Sequence, residues 1–157
     1  MKDFKDINEL FGLGGSVAAV VGGGGHLCSA MCKGLAKAGA NIAVLDLRVE
    51  KAINVVEKIN NFTDVKSIAV EVNASNKNSL ENALKVINNS LGEIDILING
   101  AGINSPKPFL EISLEEWNNV ISSQITATML GCQVFGEKML SNGHGSIITV
   151  SYTHLRA

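Results

Sequence analysis

Residues 17–28 read Val-Ala-Ala-Val-Val-Gly-Gly-Gly-Gly-His-Leu-Cys, and this stretch decides the fold. Val17–Val21 is a short apolar run of the kind that forms a buried strand. Gly22–Gly25 follow it and lead into a segment of helical period. Such a turn lets backbone N–H groups approach a phosphate at a helix N-terminus. A plain flexible turn is the alternative, but four glycines cost conformational entropy that a plain turn avoids. We therefore expect a ligand here.

Short apolar runs alternate with longer segments of helical period along the rest of the chain. The predicted strands are Val17–Val21, Ile42–Leu45, Ser67–Val72, Ile94–Ile98 and Ser146–Val150. Their nearly continuous hydrophobicity indicates that both faces of the sheet are covered, and each connection is long enough for a crossover helix. The sequence predicts an α/β fold with a Rossmann-type doubly wound parallel sheet.

Glycines and capping residues mark the ends of the predicted helices. Two helices are each followed by a glycine suited to a left-handed cap: Leu27–Ala38 with Gly39, and Lys77–Leu91 with Gly92. Ser113 and Glu116 form a capping box that opens a long helical region. Asn142-Gly143 ends that region, which is either one helix or two.

Composition narrows the classes of partner. The chain has 157 residues, 46% of them hydrophobic, and a formal net charge of −2. This size predicts one globular domain. The scattered charges offer no basic surface for nucleic acid or for a membrane, and no apolar run approaches the roughly 20 residues of a membrane helix. Residues 1–6 mix acids with bases and precede no apolar run, so we expect a cytoplasmic protein.

The three cysteines are an odd number, and we expect Cys28, Cys32 and Cys132 to be reduced thiols used in packing. The sequence predicts no metal site. Small polar ligands remain the natural partners.

The glycine turn resembles the first turn of the short-chain dehydrogenase/reductase family, which reads Thr-Gly-x-x-x-Gly-x-Gly. Val21 stands at the threonine position, and Gly22 matches the first glycine. His26 and Cys28 replace the second and third glycines. His26 is expected either to meet a phosphate or to point to solvent. The residues of the turn predicted to contact the dinucleotide are Gly22, Gly24, Gly25 and Leu27.

Two further motifs carry the resemblance. Asn99-Gly100-Ala101-Gly102 is similar to the family's Asn-Asn-Ala-Gly motif, and Asn73-Ala74 stands where the family commonly has Asp-Val. The resemblance implies that Asn99, Gly100, Ala101 and Gly102 steady the sheet and line the cofactor pocket. It also implies that Asn73 and Ala74 contact the adenine, where an asparagine still donates or accepts hydrogen bonds.

Asp46 stands directly after the second predicted strand, about twenty residues after the glycines. A carboxylate there accepts hydrogen bonds from the adenosine ribose and repels a 2′-phosphate, which favours NAD over NADP. Two alternatives stay open. In the first, Arg48 attracts a 2′-phosphate and the cofactor is NADP. In the second, Asp46 does not contact the cofactor and only caps the next helix.

The resemblance implies a catalytic tyrosine, a lysine four residues later, a serine, and an asparagine in the long helix. Gln124 occupies the asparagine position and is longer by one methylene, so the proton-relay geometry is altered. Tyr152 stands where the serine is expected, with Ser151 beside it. No Tyr-x-x-x-Lys follows, so no residue of this chain is assigned as catalytic.

Residues 150–157 depart abruptly from family-like sequence and resemble the translation of a sequencing adapter. We predict that they are a non-native tail and that residues 1–149 are an incomplete dinucleotide-binding domain. The native protein would then continue for roughly another hundred residues. A sheet truncated after the fifth strand exposes that strand as an edge and leaves the long helix without its packing partner.

The resemblance implies an intact parent that is an NAD(P)-dependent oxidoreductase acting on a small-molecule alcohol or carbonyl. Gln133–Gly136 and the glycine turn look most like family members acting on sugar acids such as mannonate or fructuronate. A non-catalytic dinucleotide-binding or sensing protein is the alternative, and the chain as given is expected to be inactive. Family members usually form dimers or tetramers, so we expect a homo-oligomeric parent.

Overall fold

The structure is a computed structural model that describes residues 7–151. The strands are β1 (Val17–Val21), β2 (Asn41–Asp46), β3 (Ser67–Glu71), β4 (Ile96–Asn99) and β5 (Ser146–Thr149). The helices are α1 (Ile7–Phe11), α2 (His26–Lys37), α3 (Val49–Asn60), α4 (Lys77–Ser90), α5 (Leu114–Ile121) and α6 (Ala127–Asn142). Residues 152–157 lie outside the described part, so the predicted non-native tail stays a prediction.

All strand pairs are parallel, and the strand order is β3-β2-β1-β4-β5. The chain moves outward from β1 to β3, crosses back, and continues outward from β4. This order confirms the predicted doubly wound α/β sheet. The reversal lies between β1 and β4, and ligands of such sheets bind at the carboxyl ends of the strands at that point.

Alternate residues of the central strand β1 point into two separate hydrophobic cores. On one face, Ala19 and Val21 pack with α4 and α6, whose Phe135 is fully buried. On the other face, Ala18 and Val20 pack with α2 and α3. Both faces of the strand are therefore covered, as its continuous hydrophobicity predicts.

Strand β4 begins at Ile96, two residues later than predicted. Asp95 explains the difference, because its carboxylate accepts the N–H of Val17 at 2.8 Å. The first N–H group of β1 is therefore bonded to a side chain and not to the backbone of β4, and the regular pairing of the two strands begins one residue later. Ile94 is fully buried without belonging to the strand.

The long helical region is interrupted by a π-helical turn over Ser122–Thr126, between α5 and α6. The helical region is therefore one continuous run from Leu114 to Asn142 with a π turn inside it, and α5 and α6 are its two α-helical parts. Gly143 has a left-handed φ of +76° and ends α6, as predicted. The glycines after α2 and α4 are also left-handed, with φ of +101° at Gly39 and +107° at Gly92.

The predicted capping box at α5 forms only in part. Ser113 Oγ accepts the N–H of Glu116 at 3.2 Å, as expected. The Glu116 carboxylate does not return the bond. It accepts a hydrogen bond from Ser105 Oγ at 2.6 Å and pairs with Lys107 Nζ at 2.8 Å. These contacts lower the pKa of Glu116, with the Lys107 contact as the largest cause, and they fasten the loop before α5 to the helix.

The strand β5 lies at the edge of the sheet, and Ile147 and Ile148 are 40% and 48% exposed. The region from α5 through the π turn to α6 also carries exposed apolar side chains, namely Trp117, Ile121, Ile125, Met129 and Leu140. The expected exposed edge and uncovered helix are therefore present. None of the helices within residues 7–151 has the length and hydropathy needed to cross a membrane.

Candidate cofactor-binding site

Three segments meet at the carboxyl end of the sheet. In the register of the strands, Val21 pairs with Leu45 on one side and with Asn99 on the other. The glycine turn after β1 therefore lies between Asp46 at the end of β2 and the segment that follows β4. Residues far apart in sequence are brought together by strand pairing alone.

The glycine turn fits closely against the segment that follows β4. Gly22 has a φ of +76°, and a Cβ there would lie 2.8 Å from Ala101 N and Gly100 O. These neighbours are backbone atoms, so they do not yield to a side chain. Because Gly25, the N-cap of α2, has no side chain with which to cap the helix, the N–H groups of the first turn are left for a ligand.

Asp46 is fixed by two backbone hydrogen bonds. Its Oδ2 accepts the N–H of Gly24 at 3.0 Å, and its Oδ1 accepts the N–H of Arg48 at 3.0 Å. Arg48, not Asp46, is the N-cap residue of α3, although the Asp46 carboxylate does receive its N–H. Each carboxylate oxygen keeps a second lone pair for a further donor.

Gly24 lies directly beside this carboxylate. A Cβ at Gly24 would lie 2.8 Å from Asp46 Oδ2 and 2.6 Å from Lys51 Cβ. A side chain here would displace the carboxylate. The glycine turn and Asp46 are therefore one structural unit.

His26 and Leu27 begin α2, and both are exposed. The exposure of His26 fits both alternatives, a contact with a phosphate and a side chain in solvent, so both stay open. Leu27 is 38% exposed at the mouth of the turn.

Asn99 is the buried polar residue of the site, at 4% exposure. Its Nδ2 donates to Cys132 Sγ at 3.5 Å, and a Cβ at Gly131 would overlap its Oδ1. Asn99 thus connects β4 with α6, where Gly131 lets the helix approach.

Asn73 and Ala74 follow β3 at the same end of the sheet. Asn73 is exposed, and its Oδ1 accepts the N–H of Ser75 at 3.0 Å. Its N–H donates to Ser79 Oγ at 3.0 Å. The side-chain oxygen thus shapes the local turn, and the amide NH₂ remains as the donor for a ligand.

Gln124 lies in the π-helical turn. Its Nε2 donates to the carbonyl of Ile103 at 2.8 Å, and the neighbouring Ser123 Oγ accepts the N–H of Ile103 at 3.2 Å. A Cβ at Gly102 would lie 2.8 Å from Gln124 Cγ. Both backbone groups of Ile103 are therefore held by consecutive side chains, and π turns of this kind occur frequently at functional sites.

A cleft of about 270 Å³ opens between this turn and the end of β5. It is lined by Gly100, Ala101, Gly102, Ile103, Asn104, Gln124, Val150 and Ser151. It joins the segment after β4 to the segment after β5, as expected for a site at the carboxyl ends of neighbouring strands.

Residues 16–154 match the family described as short chain dehydrogenase. The chain belongs to this family. Its members are NAD(P)-dependent oxidoreductases, and the match covers every segment of the candidate site.

Individual relatives in the short chain dehydrogenase family agree with the match. A 5-keto-D-gluconate 5-reductase of Escherichia coli is 32% identical over 144 residues, covering 92% of this chain and 56% of that protein. A 3-oxoacyl-acyl-carrier-protein reductase of Aquifex aeolicus is 35% identical over 139 residues, covering 88% of this chain and 56% of that protein. The chain therefore spans about half the length of these relatives.

Solved structures of short chain dehydrogenases share the fold. A putative D-mannonate oxidoreductase from Haemophilus influenza, solved with bound NAD, superposes with a TM-score of 0.85 at 30% identity. The superposition covers 93% of this chain and 58% of that one.

Sequence reasoning missed several contacts of this short chain dehydrogenase site. Ser75 Oγ donates to the carbonyl of Ser122 at 3.0 Å, which ties the loop after β3 to the π turn. Asn104, Ser123 and Val150 were not singled out either. These residues reach the site because segments distant in sequence pack together, and no local sequence motif predicts this.

The three cysteines are free thiols. Burial raises the pKa of the Cys28 thiol, and the charge of Asp46 adds to this effect. Burial also raises the pKa of Cys32 to about 12. Both thiols are therefore protonated at neutral pH, which suits packing and not nucleophilic chemistry.

A second cavity borders α6 and β5. It measures about 770 Å³ and is lined by residues of α6, β5 and the loop between them, including Cys132, Met139, Leu140, His144 and Ile147. It follows the exposed edge of the sheet, so its size reflects the uncovered surface. Within residues 7–151, no cluster of three or more His, Cys, Asp or Glu side chains is arranged to hold a metal ion.

Proposed function

We propose that this chain is the cofactor-binding portion of an NAD-dependent oxidoreductase that interconverts a hydroxyl and a carbonyl. Its glycine turn would hold the pyrophosphate, and Gly100–Gly102 would line the nicotinamide side. The observation that carries the proposal is the Asp46 carboxylate, held against the turn by the N–H of Gly24 at 3.0 Å.

The preference for NAD follows from charge. A carboxylate beside the glycine turn accepts hydrogen bonds from ribose hydroxyls and repels a 2′-phosphate. Arg48 is exposed and Lys51 lies near Gly24, so basic groups are also present. Because Asp46 alone is fastened to the turn by a hydrogen bond, we expect its charge to decide the outcome.

The direct test is to titrate the 157-residue chain with NADH and, separately, with NADPH, and to measure binding by the change in nicotinamide fluorescence. We expect tighter binding of NADH. Asp46→Asn keeps the shape and removes the charge, and it should reduce the NADH preference about tenfold, equivalent to about 1.4 kcal/mol. Asp64→Asn, which changes an exposed residue, is the matched control and should leave the preference unchanged.

Two outcomes would contradict the proposal. Equal affinities of the wild-type chain for the two nucleotides would exclude the NAD preference. Binding of neither nucleotide by a folded chain would exclude the cofactor site itself.

We propose a sugar acid as the substrate class of the intact protein. The support is the likeness of Gln133–Gly136 and the glycine turn to such enzymes, together with the names of two relatives, the 5-keto-D-gluconate 5-reductase and the putative D-mannonate oxidoreductase. The acyl-carrier-protein reductase is a comparably similar relative. The test is therefore to recover the longer reading frame from the source DNA and to compare keto-sugar acids with 3-oxoacyl thioesters.

The 157 residues themselves should bind without turnover. The only tyrosine is Tyr152, and Arg156 stands four residues later, so the sequence contains no Tyr-x-x-x-Lys pair. A non-catalytic sensor would differ from the proposed enzyme at one point: its longer form would bind NADH and reduce no carbonyl substrate.

We also propose that the intact protein is a homo-oligomer. The exposed apolar residues of α5, the π turn and α6, among them Trp117, Ile125 and Leu140, support an interface along this helical region. Light scattering of the longer form would report a single monomer mass if the proposal is wrong.

A further inference from the structure

Gly100 is a glycine for lack of space, not because of its backbone conformation. Its φ is not among the positive values found in residues 7–151, so the backbone there accepts other residues. A Cβ at this position would overlap the sulfur of Cys28. It would also lie 3.4 Å from Val21 O and 3.5 Å from Val150 Cγ2. The sulfur is thus the atom that excludes a side chain.

Cys28 occupies this space from the first turn of α2. It is 4% exposed, and its S–H donates to the carbonyl of Gly100 at 3.9 Å. Burial raises the pKa of the thiol, which keeps it in the protonated form that donates. The sulfur fits only because position 100 carries no side chain.

This contact joins the two backbone segments that face each other across the site. Next to it, Gly100 N–H donates to Val21 O at 3.0 Å, and Gly22 abuts the backbone of Ala101. The family pattern has a glycine at the position of Cys28 and an asparagine at the position of Gly100. In this chain the arrangement is reversed: position 28 carries the side chain and position 100 carries none.

We propose that Cys28 is a positioning residue whose sulfur sets the spacing between the first turn of α2 and the Gly100–Gly102 segment. Cys28 and Gly100 form a matched pair, in which either residue tolerates change only when the other changes with it. The consequence for the cofactor rests on the proposed function, whereas the pairing itself does not.

A double-mutant cycle on the 157-residue chain tests the pair. The variants are Cys28→Gly, Gly100→Ala and the double variant, each measured for thermal unfolding and for NADH binding. Gly100→Ala alone forces the new methyl against the sulfur, and overpacking of this kind should lower Tm by about 5 °C. Cys28→Gly alone removes the sulfur and should weaken NADH binding about tenfold, because the two segments lose their spacer.

The double variant Cys28→Gly with Gly100→Ala should regain both properties, because the methyl enters the space that the sulfur leaves. Cys28→Gly with Gly100→Asn, which restores the family pattern at both positions, should do the same. The matched control is Cys32→Ala, which removes a fully buried thiol one helical turn further along α2. It should not rescue Gly100→Ala, since it opens no space at position 100.

The results separate the two proposals. If Gly100→Ala melts as the wild type does, or if neither double variant recovers its Tm, the matched pair is wrong. A Gly100→Ala variant that fails to fold leaves the decision to the double variants. Recovery of Tm without recovery of NADH binding overturns the positioning role. If the wild-type chain binds no NADH, the proposed function fails, while the thermal cycle still decides the pair.

Discussion

The carboxyl end of β1, β2 and β4 and the outer edge at β5 belong to the same sheet, yet they are built differently. At the carboxyl end, added Cβ atoms at Gly22, Gly24 and Gly102 would lie within 2.9 Å of neighbouring atoms. At the outer edge, Ile148 is 48% exposed, and Leu140 on α6 is 84% exposed.

The difference teaches where each region finds its partners. At the carboxyl end, the described residues pack closely against one another, so a side chain added at any of these three glycines would overlap a neighbouring atom. The second region presents apolar surface and an open strand edge, which favours association with other surfaces. Mutations should therefore affect the fold in the first region and self-association in the second.

The largest effect is expected from Gly22→Ala. The residue has a φ of +76°, and the new Cβ would meet the backbone of Gly100 and Ala101. Strain and overlap together should lower the free energy of unfolding by about 3 kcal/mol or more, measured by urea titration.

Gly34→Ala is the matched control for this change. Gly34 is an exposed glycine inside α2 with open space around its Cβ position. The same substitution there should stabilise the protein by up to about 1 kcal/mol, because alanine favours the helix. A comparable loss of stability in both variants would remove the distinction between a crowded and an open glycine.

A smaller effect on stability, with a clear effect on solubility, is expected from Ile148→Thr on the edge strand. Threonine is also β-branched and suits a strand, so the free energy of unfolding should change by less than about 1 kcal/mol. The monomeric fraction by size-exclusion chromatography should rise because apolar edge surface is removed. Unchanged association would mean that another surface is responsible.

Ile98→Thr is the control on the neighbouring strand, where the side chain is 3% exposed. A buried hydroxyl without a hydrogen-bond partner should lower the free energy of unfolding by about 1–3 kcal/mol. The same chemical change thus separates the two regions.

The smallest effect concerns pH and lies at the amino end of β4 and β5. The folded-state pKa of His144 is raised above its ordinary value of 6.5, first by the Asn142 carbonyl and then by Asp95. Its Nε2 lies 2.8 Å from Asp95 Oδ1, and the nearby Glu93 pairs with Lys138.

Because the pKa is raised in the folded state, the stabilising contribution of His144 is full below pH about 6.5 and is lost as the pH rises through the higher folded value. Thermal unfolding between pH 5 and 9 should show a small decline in Tm over this window, by the general behaviour of exposed pairs. His144→Gln should flatten this part of the profile. An identical decline in the variant would assign the titration to another group.

The parts of this fold that follow from sequence are those with a local cause. The alternation of apolar runs and glycine-ended helices predicts all five strands and their parallel, doubly wound arrangement, because each of these signals lies within one strand or helix. The same reasoning brings the glycine turn close to Asp46, because parallel pairing places the ends of neighbouring strands together, and Gly24 N–H does donate to Asp46 Oδ2. Their role in cofactor binding stays a prediction.

The remainder depends on contacts between distant segments. The bond from Ser75 to Ser122 spans 47 positions, and the contact from Cys28 to Gly100 spans 72. The capping box fails in its second half because Ser105 and Lys107 compete for Glu116. No pattern along the chain predicts such competition.

The π turn over Ser122–Thr126 amounts to one residue inserted into an otherwise regular helix. One residue is about 100° of rotation, so the insertion sets the angular phase of everything after it. Downstream, that phase aims Phe135 and Met139 at the sheet, while at the turn itself it directs Gln124 onto Ile103. Removing the extra residue would rotate one part of the helix relative to the other by about 100° and would misdirect one of these two sets of side chains. The π turn therefore cannot be lost without cost, because the same helix rotation orients both the site residue Gln124 and the core residues of α6.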